Sequence, residues 1–331
     1  PYLKFSGFDA IELKGKAEED VIIVIDGNKG TVSVEKAPLE HMDAHLMGEE
    51  LTAMYADNEN DRKHVAVVCA GSAAEHCNIS MLNFTFYDPN RGVVRLKQAG
   101  RGGIGRVFRH KKIKAVVCKF QGIHNNLNQV HDISIINKTG VKYHREMATQ
   151  DPKQNNMRKI GTANTMKTLN DYDILPTHNF KFGGTPNIAE MHPQVFIEKW
   201  LTQGAADGCW YGCSMACAKA ADHFELLTGP YKGSKVVVDG PEYETAAGVG
   251  PNCGITDPQV ILELNFYCDT YGIDTISWGT MCAFLMECYE NGILNKERTG
   301  GLELNFGNAA AALELIHLTA KNEGFRKTAA L

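Results

Sequence analysis

Three cysteines spaced four apart, in Cys209-Trp-Tyr-Gly-Cys213-Ser-Met-Ala-Cys217, put three thiols within nine residues. Packing seldom needs such a group. Thiolates hold iron–sulfur clusters, and three of them account for three irons of a four-iron cubane, leaving the fourth to another ligand. Zinc is the main rival, although its cysteines usually come as closely spaced pairs. A buried seam along one helix face is the plain structural alternative. Trp210 and Met215 are placed to shield a cluster from water. Electron transfer is therefore the leading chemistry.

Other residues could serve such a centre. Ala99-Gly-Arg-Gly-Gly-Ile-Gly105 is a loop whose backbone amides can approach a phosphate, with Arg101 offering bidentate donors. A dinucleotide fingerprint needs a strand immediately before the glycines, whereas the clear strand, Ile113–Cys118, follows them. Gly240-Pro-Glu-Tyr-Glu-Thr245 sets Glu242 and Glu244 two apart after a turn, and a carboxylate in a closed site can accept a proton. Asp269 and Asp274 bracket Gly272, the glycine expected at a helix end. Glu314 and His317 form a helical pair able to share a metal, or simply a surface pair. The remaining histidines form no metalloprotease array.

The elements that must position these residues change character near residue 120. Residues 1–119 read as mostly strand. Tyr2–Ile11 reads as a strand. Val21–Ile25 and Thr31–Val34 read as a hairpin across Asp26–Gly30, and His64–Cys69 and Ile113–Cys118 as buried strands, with Thr85–Tyr87 and then the turn Asp88–Gly92 between them. Ala44–Met54 is the helical stretch of this half. Beyond it, helices are expected over Pro193–Leu201, over Pro258–Cys268 with Asp257 capping, over Thr280–Asn291 before Gly292, and over Asn308–Asn322. The fold class is α+β: a β-rich domain over 1–120, then a largely helical domain over 121–331 carrying the cysteines.

At 331 residues and 44% hydrophobic, the chain can build a large core in two domains. A net charge of −5 without a basic stripe argues against nucleic acid, and no run is long and apolar enough to span a membrane. Cys69, Cys118, Cys268, Cys282 and Cys288 sit singly in apolar settings and read as small core residues. Reduced cysteines suit the cytoplasm, an anaerobic one for such a cluster. The chain starts at Pro1 in mid-element, which suggests a piece of a longer protein.

Taken in order, these segments resemble the tungsten-dependent aldehyde:ferredoxin oxidoreductase family. The likeness runs from Leu3–Lys16 through Arg101–Gly105, Lys112–Val117, Leu175-Pro-Thr-His-Asn-Phe180, the cysteine motif, Gly240–Thr245, Asn252–Asp257 and Asp269–Asp274 to Met286–Ile293. It implies tungsten held by two pterins, a [4Fe–4S] cluster beside it, and Mg2+ bridging the pterin phosphates. Arg101, Gly102 and Gly103 would serve a pterin phosphate. Asp269, Ile273 and Asp274 would bind a pterin, Cys209, Cys213 and Cys217 would ligate the cluster, and Glu244 would stand near the tungsten. Here the first cysteine gap is three residues where the family has two, with Trp210 at the aligned place, so Cys209 reaches a cluster only after a small loop shift. The fourth cluster cysteine and a catalytic histidine are expected outside this chain.

The reaction implied is oxidation of an aldehyde to a carboxylic acid, with electrons leaving through the cluster to ferredoxin or a partner iron–sulfur subunit, in an oligomer. The alternative within the family is the tungsten subunit of an aromatic acyl-CoA reductase; the intact Gly-Pro-Glu-Tyr-Glu-Thr segment favours the aldehyde branch. From other classes, a radical S-adenosylmethionine enzyme would need a second cysteine gap of two, and an electron-carrier module would contain iron without tungsten.

Overall fold

The computed structural model describes residues 1–120, 131–201, 207–209 and 213–325. The chain forms two compact units, one of residues 1–140 with 269–273, the other of 141–268 with 274–331. The architecture is α+β, a mixed sheet followed by a helical region.

In the first unit six strands, β1 (Val21–Asp26), β2 (Thr31–Lys36), β3 (Val65–Ala70), β4 (Leu82–Asp88), β5 (Val93–Gln98) and β6 (Ile113–Lys119), lie in the order β2-β1-β6-β3-β4-β5. Only the β1–β6 pair is parallel; the other neighbours run antiparallel. Successive side chains of a strand face opposite sides. Ile22 and Val24 of β1 accordingly join Val65, Val67, Ala115 and Val117 beneath helix α2 (Ala44–Tyr55), while Ile23 and Ile25 pack with Phe108 and Cys118 on the other face. Both faces are covered, which is why Val21–Ile25 is an unbroken apolar run rather than an alternating one.

Tyr2–Ile11 is not a strand. Tyr2–Phe5 form one helical turn, α1, and the stretch lies on the second sheet face through Tyr2, Leu3, Phe8 and Ile11. Helix α3 (Ile104–His110) also follows the glycine loop directly, and β5 precedes it. Gly100, Gly102 and Gly105 thus have both the fingerprint spacing and the strand before them. What separates the loop from a dinucleotide fold is topology: β5 is an edge strand paired antiparallel with β4, not part of a parallel βαβ unit.

In the helical region α4 (Ile133–Gln150) is followed by α5 (Met157–Ile160), α6 (Thr165–Asp171), α7 (Pro193–Lys199), α8 (Tyr243–Val249), α9 (Pro258–Tyr271), α10 (Thr275–Glu290) and α11 (Ala309–Lys321). Caps set several boundaries: Asp257 accepts from the Gln259 N–H at 2.9 Å, and Asp274 accepts from Ile276 and Ser277, so α10 begins at Thr275, five residues ahead of the expected Thr280. A hairpin, β7 (Ala220–Glu225) with β8 (Lys235–Asp239), stands where only helices and loops are expected.

Candidate functional site

The residues singled out by the sequence fall in both units. In the first unit, the glycine loop and the 269–273 segment converge on one rail, Ser80–Asn83. Gly105 N–H donates to Ser80 O at 3.3 Å, and Met81 N–H donates to Gly272 O at 2.8 Å. Ser80 bridges Ile273, Asn83 Nδ2 donates to Asp269 O at 3.0 Å, and His45 pairs with Thr270 at 2.7 Å. Backbones meet closely here: a Cβ at Gly71 would stand 2.2 Å from the Tyr271 carbonyl carbon, and one at Gly103, whose φ is +73°, would stand 2.4 Å from Asn78 O. Only glycine permits both.

Arg101 and Gly102 are exposed at the tip of the loop, and a Cβ at Gly102 would meet open space. Gly103 is buried as the residue that opens α3. Asp269 and Ile273 are buried. Asp274 is buried too, with its carboxylate engaged as the α10 cap and accepting from Ser277 Oγ as well. Three polar atoms on or beside the rail, Ser80 Oγ, Asn83 Oδ1 and Gln98 Nε2, are buried with no hydrogen-bond partner among the described residues. Buried polar atoms are ordinarily satisfied, so this lining fits a polar organic group such as a pterin phosphate. Ser80, Asn83 and Gln98 escape a reading of the sequence because single polar residues beside strands carry no motif.

The second group lies in the helical unit. Cys209 is exposed, and Cys213 and Cys217 are half-buried; none is in a disulfide. Trp210 lies outside the described residues, and Met215 is exposed. The chain returns on itself here, Asp207 bridging Cys217 and Ala218. Burial pushes the Cys217 thiol up, helped by the Glu242 carboxylate and by Cys213 and Cys209, which places all four groups within electrostatic reach. Among the described residues no three His, Cys, Asp or Glu side chains gather as a single ion would require. A cluster differs from a single ion in that each iron would take its own thiolate.

The two glutamates of the Gly240–Thr245 segment are divided. Glu242 is half-buried and accepts from Thr162 Oγ1, which in turn accepts from the Tyr243 N–H at 2.9 Å. Glu244 is exposed in the first turn of α8. Burial, then the Glu244 charge, raises the Tyr243 hydroxyl. α8 sits against α10 because Gly279 leaves room: a Cβ there would stand 2.5 Å from the Gly248 carbonyl carbon. His178, Asn179 and Phe180 take three successive positive φ values, pinned by their N–H groups to Pro251 O, Asn252 O and Asn252 Oδ1.

Glu314 and His317 do not share a metal. Glu314 is exposed, while His317 is buried with Nε2 on Thr228 Oγ1 at 3.0 Å; that hydroxyl also bonds the buried Glu263 at 2.5 Å. Cys69, Cys118, Cys268 and Cys282 are buried and Cys288 half-buried, with burial pushing the first two thiols to about 12 and about 11.

Comparison with known proteins covers nearly the whole chain. The family model described as aldehyde ferredoxin oxidoreductase, N-terminal domain, matches residues 1–120, and the one for domains 2 and 3 matches 138–331. A tungsten-containing aldehyde ferredoxin oxidoreductase of Pyrococcus horikoshii is 31% identical over 326 residues, 98% of this chain and 49% of that protein. Its counterpart in Pyrococcus abyssi is 31% identical over 327 residues, with the same coverage. The chain thus spans about half the length of the curated relatives it matches. Among solved structures, the active site complex BamBC of benzoyl coenzyme A reductase, in complex with 1,5 dienoyl-CoA, superposes on 100% of this chain and 47% of its own, with a TM-score of 0.71 and 20% identity. That likeness is one of fold.

Proposed function

This chain belongs to the aldehyde ferredoxin oxidoreductase family, and from that premise we propose that the protein containing it oxidises an aldehyde to a carboxylic acid. The overall change is RCHO + H2O to RCOOH, releasing two protons and two electrons. A tungsten ion held by two pterins supplies the two-electron acceptor when bound. The observation that carries the reading is the convergence on Ser80–Asn83 of two segments far apart in sequence, the glycine loop and residues 269–273, beside buried polar atoms that lack partners.

In this reading Arg101, Gly102 and Gly103 would hold a pterin phosphate together with its Mg2+. Asp269, Ile273 and Asp274 would bind the pterin, Asp274 while capping α10. Cys209, Cys213 and Cys217 would hold a [4Fe–4S] cluster, which would supply the electron outlet to ferredoxin or to a partner iron–sulfur subunit. Glu244, at the start of α8, positions water and takes its proton as the second carboxyl oxygen is delivered. Glu242 stays bound to Thr162 and keeps the turn before α8 in place.

Glu244→Gln in the full-length protein is expected to keep tungsten and iron content while lowering turnover by at least about a hundredfold, the lower end of what a proton-transfer group contributes. Wild-type turnover in that variant sinks the assignment of Glu244. Elemental analysis of the wild type for tungsten and iron tests the wider proposal, since iron without tungsten would mark an electron carrier.

A further inference from the structure

Three carbonyls of the cysteine loop are held by groups outside the thiol row. Ser214 O accepts from the Arg158 guanidinium. Ala216 O accepts from Lys219 Nζ at 3.3 Å and from the Asp207 N–H at 3.3 Å, and Ala218 O accepts from Lys219 Nζ at 2.7 Å. In a trans peptide the N–H points opposite to its carbonyl, so these bonds turn the N–H groups of Met215, Cys217 and Lys219 away from the two cations.

Lys219 is only 5% exposed, unusual for a lysine. Its stem passes Gly161, where a Cβ would stand 2.7 Å from Lys219 Cγ and 3.3 Å from Cys217 O. Gly161 has φ +85°, so the path past it is open only to glycine. Arg158 is equally fixed: the buried Asp151 caps its helix, accepting the Met157 and Arg158 N–H groups at 2.8 and 2.9 Å. Two cations are therefore held on the carbonyls that flank Cys213 and Cys217, while the Glu242 carboxylate acts on the Cys217 thiol.

We propose that Lys219, backed by Arg158, is a positioning residue for an anionic, thiolate-held cluster: it turns the loop's N–H groups toward the sulfurs and places positive charge behind them. This rests on the cluster reading given above. Hydrogen bonds to the sulfurs and local charge set a cluster's potential, and both effects favour the more negative, reduced state. Lys219 and Arg158 therefore raise the potential.

The test is an electron paramagnetic resonance redox titration of full-length wild type, Lys219→Met, Lys219→Arg and Arg158→Met, each with its iron content measured. Lys219→Met and Arg158→Met are expected to load iron as the wild type does and to titrate at lower potential, with Lys219→Arg restored toward wild type. Wild-type potentials in iron-loaded Lys219→Met and Arg158→Met overturn the inference and leave the cluster reading standing. If Lys219→Met loses its fold, Arg158→Met decides by the same criterion. A wild-type protein without iron overturns the cluster reading and this inference together.

Discussion

A side chain's role follows from what faces it, and His317 shows this against the spacing that first singles it out. Glu314 is its partner by helical geometry, yet the imidazole turns to Thr228, whose hydroxyl also bonds Glu263. Burial, then the Lys321 charge, lowers His317 from 6.5 to about 4. Between those two values the unfolded chain takes up a proton that the folded chain refuses. Stability is therefore expected to fall as pH drops from about 6.5 toward 4, and this group contributes no slope above that window. Denaturant midpoints measured across it should flatten in His317→Gln; an unchanged slope would place the acid sensitivity elsewhere. The thiols at 209, 213 and 217 are visible in the sequence because their spacing repeats. Lys219 is not, since nothing in Ala216-Cys-Ala-Lys-Ala-Ala221 distinguishes a lysine turned into the loop from one turned to water.

Among elements, those bounded by local signals are legible. Asp257, Asp274 and Asn308 cap α9, α10 and α11, and the turn Asp26–Gly30 joins β1 to β2. Elements that depend on distant partners are hidden. α3 is short, follows Gly102 and Gly103 and contains Gly105 in its first turn, and β7 breaks its alternation at His223, a positive-φ residue where the register with β8 shifts. Tyr2–Ile11 has strand-forming residues but packs as a covering segment. Two predictions belong at this scale. Asp274→Ala, which removes the α10 cap, should cost about 1 kcal/mol in denaturant unfolding. Gly71→Ala, forcing a Cβ against the Tyr271 backbone, should cost roughly 3 kcal/mol and displace the 269–273 segment, seen as lost tungsten in the full-length protein. Retained tungsten at normal stability would show that the close approach is not required.

At the scale of the whole molecule, the first unit is not a continuous stretch of chain. The family boundary near residue 120 marks a change of secondary structure, yet five residues from much later, 269–273, belong with the sheet. Among the described residues no helix is long and apolar enough to cross a membrane. A polypeptide of residues 1–140 alone should leave the Met81 amide, which donates to Gly272 O in the whole chain, exchanging rapidly with solvent; hydrogen exchange of the two polypeptides compares them directly. Protection of Met81 in the short polypeptide would mean the rail closes by itself. During synthesis the same arrangement imposes a delay. When residue 140 has left the ribosome, the piece that completes the sheet's rail is still untranslated, and at bacterial or eukaryotic elongation rates it follows only on the order of ten seconds later. The nascent sheet must wait that long with Gly71 and Met81 uncovered, so a slow stretch of translation between these points would prolong the exposure of a half-built rail.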